Sequence, residues 1–152
     1  MKQQGYICAA VVSLVLGMAG TALSETPQEA ANKATVIEFY NKELNDKDFD
    51  AASKFFGPNY INHNPTAADG IDGIKAYVES LKRDFPKARN QIVRAFADGD
   101  FVILHVHAQR TPDVRGKAMV DMFRLDHGKI VEHWAVVGGD LPDKPANNNG
   151  AF

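Results

Sequence analysis

The sequence has a single cysteine, Cys8, which lies inside the one long apolar run of the chain, residues 6–23. That run follows one basic residue, Lys2, and ends at the small-x-small cleavage site Ala-Leu-Ser, residues 22–24. This is the form of a secretory signal peptide, although an uncleaved membrane anchor is the alternative. We expect residues 1–24 to be removed and the mature protein to be periplasmic or secreted. It would then have no disulfide, no cysteine metal ligand and no thiol nucleophile.

The sequence also lacks a large excess of charge of either sign. Without Lys2 the mature chain has 16 Lys and Arg against 19 Asp and Glu, a net charge of −3 (16 − 19). That balance does not favour nucleic acid or an anionic membrane surface as a partner. The 128 residues after Ser24 (152 − 24) are enough for one compact domain and too few for two. We expect that domain at residues 25–138, followed by a flexible tail at 139–152, which is rich in Gly, Asn and Pro.

Helical periodicity is confined to the first half of the chain. Residues 26–29, Thr-Pro-Gln-Glu, form a capping box that predicts the start of a first helix. Asp48 is the predicted cap of a short second helix that runs through Phe56. The stretch "GIDGIKAYVESLKRDFP", residues 70–86, predicts a third helix with one apolar stripe.

The second half alternates with the period of a β-strand and contains two hairpin signals. The predicted turns are Asp98-Gly99 and His127-Gly128, since glycine accepts the positive φ of a two-residue turn. Helices followed by an antiparallel meander predict the α+β class. Residues such as Val120, Met122 and Val131 make the second hairpin apolar on both faces, and the helices can cover only one. We therefore expect a homodimer, or a C-terminal segment wrapped over the other face.

Asp121 is the candidate catalytic residue, because it lies on an apolar face. A two-residue turn at His127-Gly128 pairs Asp121 with Trp134 and Phe123 with Glu132. Burial disfavours the charged form of a carboxyl, which suits a general acid/base that removes a proton next to a carbonyl. The alternative is a structural carboxylate bonded to Trp134 or a tyrosine, or paired with a cation.

Five segments of the chain together resemble a known family. They are "FYNKELNDKD", "YINHNP", "DGIDGIKAYV", "GDFVILHVHAQRT" and "VDMFRLDHGKIVEHW", and the similarity to SnoaL-like polyketide cyclases covers residues 36–137. These cyclases belong to the nuclear-transport-factor-2-like superfamily. The resemblance implies a cone-shaped curved antiparallel sheet wrapped around N-terminal helices, with a pocket at one end. It also implies cofactor-free aldol-type cyclisation with the catalytic aspartate at Asp121.

Five further residues are candidates for the site. His63 lies in a loop that the resemblance places at the pocket mouth, where it is a second catalytic candidate; the alternative is a histidine that bonds its own backbone. Tyr40, Tyr60, His107 and Trp134 are candidate substrate-binding residues. Both tyrosines are also typical of a buried core.

His105 and His107 could join His63 and Asp121 in a two-His-one-carboxylate metal site. The predicted hairpin register places both histidines on one face with polar residues (Asn90, Arg94 and Gln109), opposite Val102, Leu104 and Val106. We therefore expect no metal and no cofactor. His133 is predicted to point away from Asp121.

Two functions remain open. The first is a cofactor-free lyase or isomerase that acts on a small apolar or carbonyl-bearing ligand. The second is a non-catalytic periplasmic binding module on the same fold. Relatives usually have an acid directly after "EHW" and a glutamine shortly after it, whereas this chain has Ala135 and Gly138, which favours the second function.

Overall fold

A computed structural model describes residues 24–152. The predicted signal peptide lies outside the described residues, apart from Ser24 at its end. Within the described part of the chain, no helix is long and apolar enough to cross a membrane.

Three α-helices precede most of the sheet. Helix α1 (Pro27–Tyr40) begins at the capping box of Thr26 and Glu29, as predicted, and continues into a π-helical turn, Asn41–Asn45. Helix α2 (Phe49–Ser53) begins at the Asp48 cap, as predicted, but ends earlier than expected. Helix α3 spans Gly70–Asp84.

Five strands form one curved open sheet. They are β1 (Phe56–Asn62), β2 (Arg89–Asp98), β3 (Phe101–Gln109), β4 (Lys117–Asp126) and β5 (Lys129–Asp140). Their order is β1-β5-β4-β3-β2, with β1 parallel to β5 and the other pairs antiparallel. The α+β prediction is confirmed. Phe56 begins β1 instead of ending α2, and β5 extends two residues beyond the predicted domain end at 138.

The first hairpin turns one residue later than predicted. Asp98 pairs with Phe101, so the turn is Gly99-Asp100 instead of Asp98-Gly99, and a bulge follows between Ile92 and Arg94. The bulge places Asn90 opposite Ala108 on the inner face, which faces the helices. The prediction that Asn90 shares a face with the two histidines of β3 is therefore wrong.

The second hairpin has the predicted turn but not the predicted register. His127 and Gly128 have φ of 48° and 73°, as a type I′ turn requires, and Leu125 pairs with Ile130. A bulge at Val131 then shifts the pairs from Arg124–Glu132 to Met119–Val137 by one residue, and a second irregularity lies before the last pair, Lys117–Asp140. Because successive strand residues point to opposite faces, the first shift moves residues 132–137 to the other face.

The bulge has a packing cause. Ile130 is buried in the core, while Val131 is buried beside Gly57 of β1, so two successive residues are both enclosed. A regular strand would expose one of them. As a result Asp121 pairs with Ala135, and the predicted pairs of Asp121 with Trp134 and of Phe123 with Glu132 are wrong.

The core lies between the helices and the inner face of the sheet. Phe39 of α1 makes edge-on contacts with Phe55, Phe56 and Phe123, with ring centroids 5.0–6.2 Å apart. This aromatic cluster fills one end of the cone. The other end is left open as a cavity.

Candidate active site

A cavity of about 390 Å³ opens between the helices and the inner face of the sheet. Its walls are largely apolar and include Leu44, Ile74, Leu81, Met119, Phe123 and Val137. The polar side chains that line it include five from the helices and the sheet: Tyr40, Glu43, Asn90, Asp121 and His133. An apolar pocket with a few convergent polar groups is typical of a small-molecule site.

Asp121 of β4 is only 2% exposed and has a hydrogen-bond partner on each carboxyl oxygen. The Tyr40 hydroxyl donates to Oδ2 at 2.8 Å, and Nε2 of His133 lies 3.1 Å from Oδ1. The prediction that His133 points away from Asp121 is therefore wrong. The bulge at Val131 is the reason, because it turns His133 to the inner face.

These contacts extend into a chain of five side chains. Nδ1 of His133 lies 3.3 Å from Oδ1 of Asn62, and Asn90 donates through Nδ2 to the Tyr40 hydroxyl at 3.2 Å. The chain therefore runs Asn62–His133–Asp121–Tyr40–Asn90 and joins β1, β5, β4, α1 and β2. Such a network holds each member in one orientation.

The partners of His133 determine where its protons lie. Asn62 donates through Nδ2 to the carbonyl of Ala68, and its Oδ1 accepts from the Asn64 N–H. Its Oδ1 must then also accept from His133, so Nδ1 of His133 carries a hydrogen. Nε2 lies against a carboxyl oxygen of Asp121 and so helps to hold the carboxyl plane.

Tyr40 remains a phenol in this setting. Burial and the neighbouring Asp121 carboxylate hold the pKa of Tyr40 well above its usual range. Its hydroxyl therefore donates to Asp121 at all physiological pH values.

A second carboxyl, that of Glu43, lines the same cavity and is 7% exposed. Burial and the nearby charge of Asp121 raise the pKa of Glu43 to about 8. Glu43 is thus a neutral acid at pH 7. The sequence contains a signal that would have identified it, because Glu43 continues the buried stripe of Val36, Phe39 and Tyr40 at helical spacing.

Among the predicted substrate-binding residues, Tyr40 lines the cavity and bonds Asp121. Tyr60 is buried and packs on Phe56 with ring centroids 4.5 Å apart, behind the cavity wall. Burial, followed by the charges of Glu43 and nearby aspartates, raises the pKa of Tyr60 above its usual range.

His63, Trp134 and His107 lie on the outer face of the sheet, away from Asp121, contrary to expectation. Trp134 pairs with Met122 and stacks on the His63 ring at 4.6 Å. His107 bonds the carbonyl of Arg115 through Nε2 at 2.7 Å. The sheet itself separates these three side chains from the cavity.

No group of three or more potential metal ligands (His, Cys, Asp or Glu) converges within residues 24–152. His105 and His107 share one face, as predicted, and that face is the outer one, where Nδ1 of His105 lies 2.9 Å from Arg94. They cannot meet Asp121 across the sheet.

Residues 36–133, more than half of the chain, match the SnoaL-like domain family. No curated protein matches the chain. Among solved structures, a candidate SnoaL-like polyketide cyclase from Jannaschia is similar over 76% of this chain and 90% of its own, with a TM-score of 0.62 and 18% identity. An NTF2-like protein of unknown function from Cytophaga hutchinsonii is similar over 70% of this chain and 88% of its own, with a TM-score of 0.59 and 20% identity. A candidate ketosteroid isomerase from Kribbella flavida is similar over 78% of this chain and 85% of its own, with a TM-score of 0.63 and 12% identity.

Proposed function

This chain belongs to the SnoaL-like family, and we propose that it is a cofactor-free lyase or isomerase for a small carbonyl compound, with aldol-type cyclase chemistry as the leading case. Asp121 is the proposed general acid/base. The observation that supports this most is the burial of the Asp121 carboxylate in an apolar cavity, where Tyr40 and His133 hold both of its oxygens. Buried and oriented carboxylates are suited to proton transfer next to a carbonyl.

The proposed step begins when Asp121 removes a proton from the carbon next to the substrate carbonyl. Tyr40 and His133 hold the carboxyl plane, so no rearrangement is needed before transfer. The apolar walls exclude water and favour an apolar substrate.

We test this with 2-tetralone, an apolar bicyclic ketone with acidic hydrogens next to its carbonyl. In deuterated buffer at neutral pH, the protein is expected to accelerate replacement of those hydrogens by deuterium, as followed by proton NMR. A rate equal to that in buffer with heat-unfolded protein would contradict the proposed chemistry.

The second candidate is a binding module without catalysis. Both Asp121 oxygens already have protein partners, and the residue that pairs with Asp121 across the sheet is Ala135, which offers no second acid there. Calorimetry that shows 2-tetralone binding, without any exchange in the NMR assay, would favour this alternative.

We further propose that the protein is a homodimer through the outer face of the sheet. Phe96, Phe101 and Val136 are 43–59% exposed on that face. The C-terminal segment covers only a part of it, where the Phe152 ring lies 4.6 Å from the His107 ring. A second copy would cover the remaining apolar surface of both subunits at once.

Val136→Glu is expected to convert the dimer to a monomer, because it places a charge in the centre of the buried face. Sedimentation velocity measures the change. The matched control is Ile71→Glu on α3, which is 36% exposed on the opposite side of the molecule and should leave the dimer intact. A monomeric wild-type protein would refute the proposal.

We also propose that residues 1–24 direct export and are then removed. Intact-mass measurement of protein purified from the producing cell is expected to show a mature chain that begins at Glu25 in the periplasmic or secreted fraction. Full-length protein in the membrane fraction would refute this.

A further inference from the structure

Glu43 is the buried carboxyl of the cavity lining that the hydrogen-bonded chain does not include, whereas Asp140, also in the lining, is exposed. Its side chain is more than nine-tenths buried and lines the cavity. Among residues 24–152 its carboxyl makes no hydrogen bond, and burial, followed by the charge of Asp121, raises its pKa. No fully enclosed side-chain oxygen or nitrogen among the described residues lacks a partner, so the Glu43 oxygens open onto the cavity, where a ligand can meet them.

The backbone explains how Glu43 reaches this place. The Asp46 N–H bonds the carbonyl of Asn41 at 2.8 Å, five residues back, which is the π-helical pattern. Glu43 follows Tyr40 by three residues, so its carboxyl lies on the same side of the helix as the phenol. Short π-helical turns of this kind are common at functional sites.

The charges around Glu43 favour a neutral acid over a carboxylate. Tyr40 from α1, Tyr60 from β1 and Asp121 from β4 are the titratable groups whose charges interact with it. The cavity lining also includes two cations, each with a partner of its own: Arg110 donates to the Tyr77 hydroxyl of α3, and Lys117 pairs with Asp140. The nearest lysines in the chain are Lys42, whose ammonium bonds Asp46, and Lys47, whose ammonium bonds the carbonyls of Asn45 and Ala88.

We infer that Glu43 contacts the substrate directly and donates its carboxyl proton to the substrate's carbonyl oxygen while Asp121 takes a proton from the adjacent carbon. This inference rests on the proposed function. The C–H bond breaks, its electrons form the C=C bond of an enol, and the carbonyl oxygen receives the Glu43 proton. In the return step the enol oxygen gives its proton back to Glu43 as the C=O bond re-forms, and the C=C electrons take the proton from Asp121 at the same or another carbon. Asp121 is then a carboxylate again and Glu43 a neutral acid. The Glu43 position therefore favours a ligand oxygen that accepts a hydrogen bond.

The protonation state of Glu43 can be measured without a ligand. Infrared difference spectra between pH 6 and pH 10 are expected to show the C=O stretch of a neutral carboxylic acid that disappears near pH 8. Glu43→Gln should remove this band, whereas Glu38→Gln, at an exposed glutamate of the same helix, should retain it. A band that is absent from the wild type, or unchanged in Glu43→Gln, would overturn the inference.

The contact with substrate is tested with 2-tetralone. Wild-type protein is expected to shift the C=O stretch of the bound ketone to lower frequency, and Glu43→Leu should abolish that shift. Glu43→Gln can donate a hydrogen bond but cannot transfer a proton, so we expect binding within about threefold of wild type and α-hydrogen exchange about 100-fold slower. The fall in exchange above pH 8 in the wild type should also be lost in Glu43→Gln.

The possible outcomes distinguish the proposed chemistry at Asp121 from the proposed role of Glu43. Wild-type binding with the frequency shift but without exchange would refute the proposed chemistry and support the Glu43 contact. Exchange in Glu43→Gln at the wild-type rate would refute the proton donation by Glu43 and leave Asp121 as the base. No binding of 2-tetralone by the wild type would overturn both. Denaturant melts of every variant establish that it is folded.

Discussion

Asp121→Asn is expected to slow the exchange of α-hydrogens in 2-tetralone by about 1000-fold, because the amide cannot accept the proton. The fold should survive the change. Asparagine can accept from Tyr40 through Oδ1 and donate through Nδ2 to a neutral His133, which keeps both contacts of the native carboxylate. We expect the free energy of unfolding at neutral pH to change by less than about 1 kcal/mol.

Asp126→Asn is the matched control, since Asp126 lies exposed at the end of the same strand and should leave both rate and stability unchanged. A loss of about 3–5 kcal/mol in a denaturant melt of Asp121→Asn would have a different meaning. It would show that the carboxylate is mainly the counterion of a charged His133, as in a buried ion pair with one member removed. The catalytic assignment would then be abandoned.

Glu43→Gln is expected to stabilise the protein, and the gain should depend on pH. The pKa of Glu43 is raised from 4.5 to about 8 in the folded protein. Between these values the folded state holds a proton that the unfolded chain releases, so wild-type stability falls as the pH rises from 4.5 to 8. A pKa unit corresponds to about 1.4 kcal/mol, which sets an upper limit of about 5 kcal/mol for the whole shift.

Glutamine does not ionise and avoids this loss, although its amide is also buried without a partner. We therefore expect Glu43→Gln to be more stable than wild type by about 2–4 kcal/mol at pH 9 and nearly equal to it at pH 4. Urea melts across this range provide the measurement, with Glu38→Gln as the control. A stability difference between Glu43→Gln and wild type that does not vary with pH would contradict this prediction. It would show that Glu43 has the same pKa in the folded protein as in the unfolded chain.

Stability gained at the expense of a buried acid is the pattern expected of a functional residue. Glu43 and Asp121 are two acids in one cavity whose environments differ: one has no partner, and the other has a partner on each oxygen. Such a difference is how sites obtain an acid and a base from the same chemical group. Asp121→Asn therefore tests the removal of a proton from the substrate carbon, and Glu43→Gln tests the donation of a proton to the carbonyl oxygen.

Local features of the sequence determined much of the fold. The caps at Thr26 and Asp48 and the turn at His127-Gly128 depend on contacts within a few residues, and all three form as predicted. The α+β class follows from the change of hydrophobic period along the chain. The apolar neighbours of Asp121 were also sufficient to predict its burial, since strand alternation is a local property.

The partners of Asp121 were decided only by the tertiary structure. Tyr40 is 81 residues away in the sequence, and nothing in the local pattern links the two. His133 reaches Asp121 because Ile130 and Val131 are both buried, which introduces a bulge and exchanges the faces of His133 and Trp134. A strand pattern read from sequence assumes a regular ladder, whereas a bulge depends on what packs beside the strand. Side chains alternate between the two faces of a sheet, so the one extra residue at Val131 decided that the His133 ring, and not the Trp134 ring, lies in the cavity.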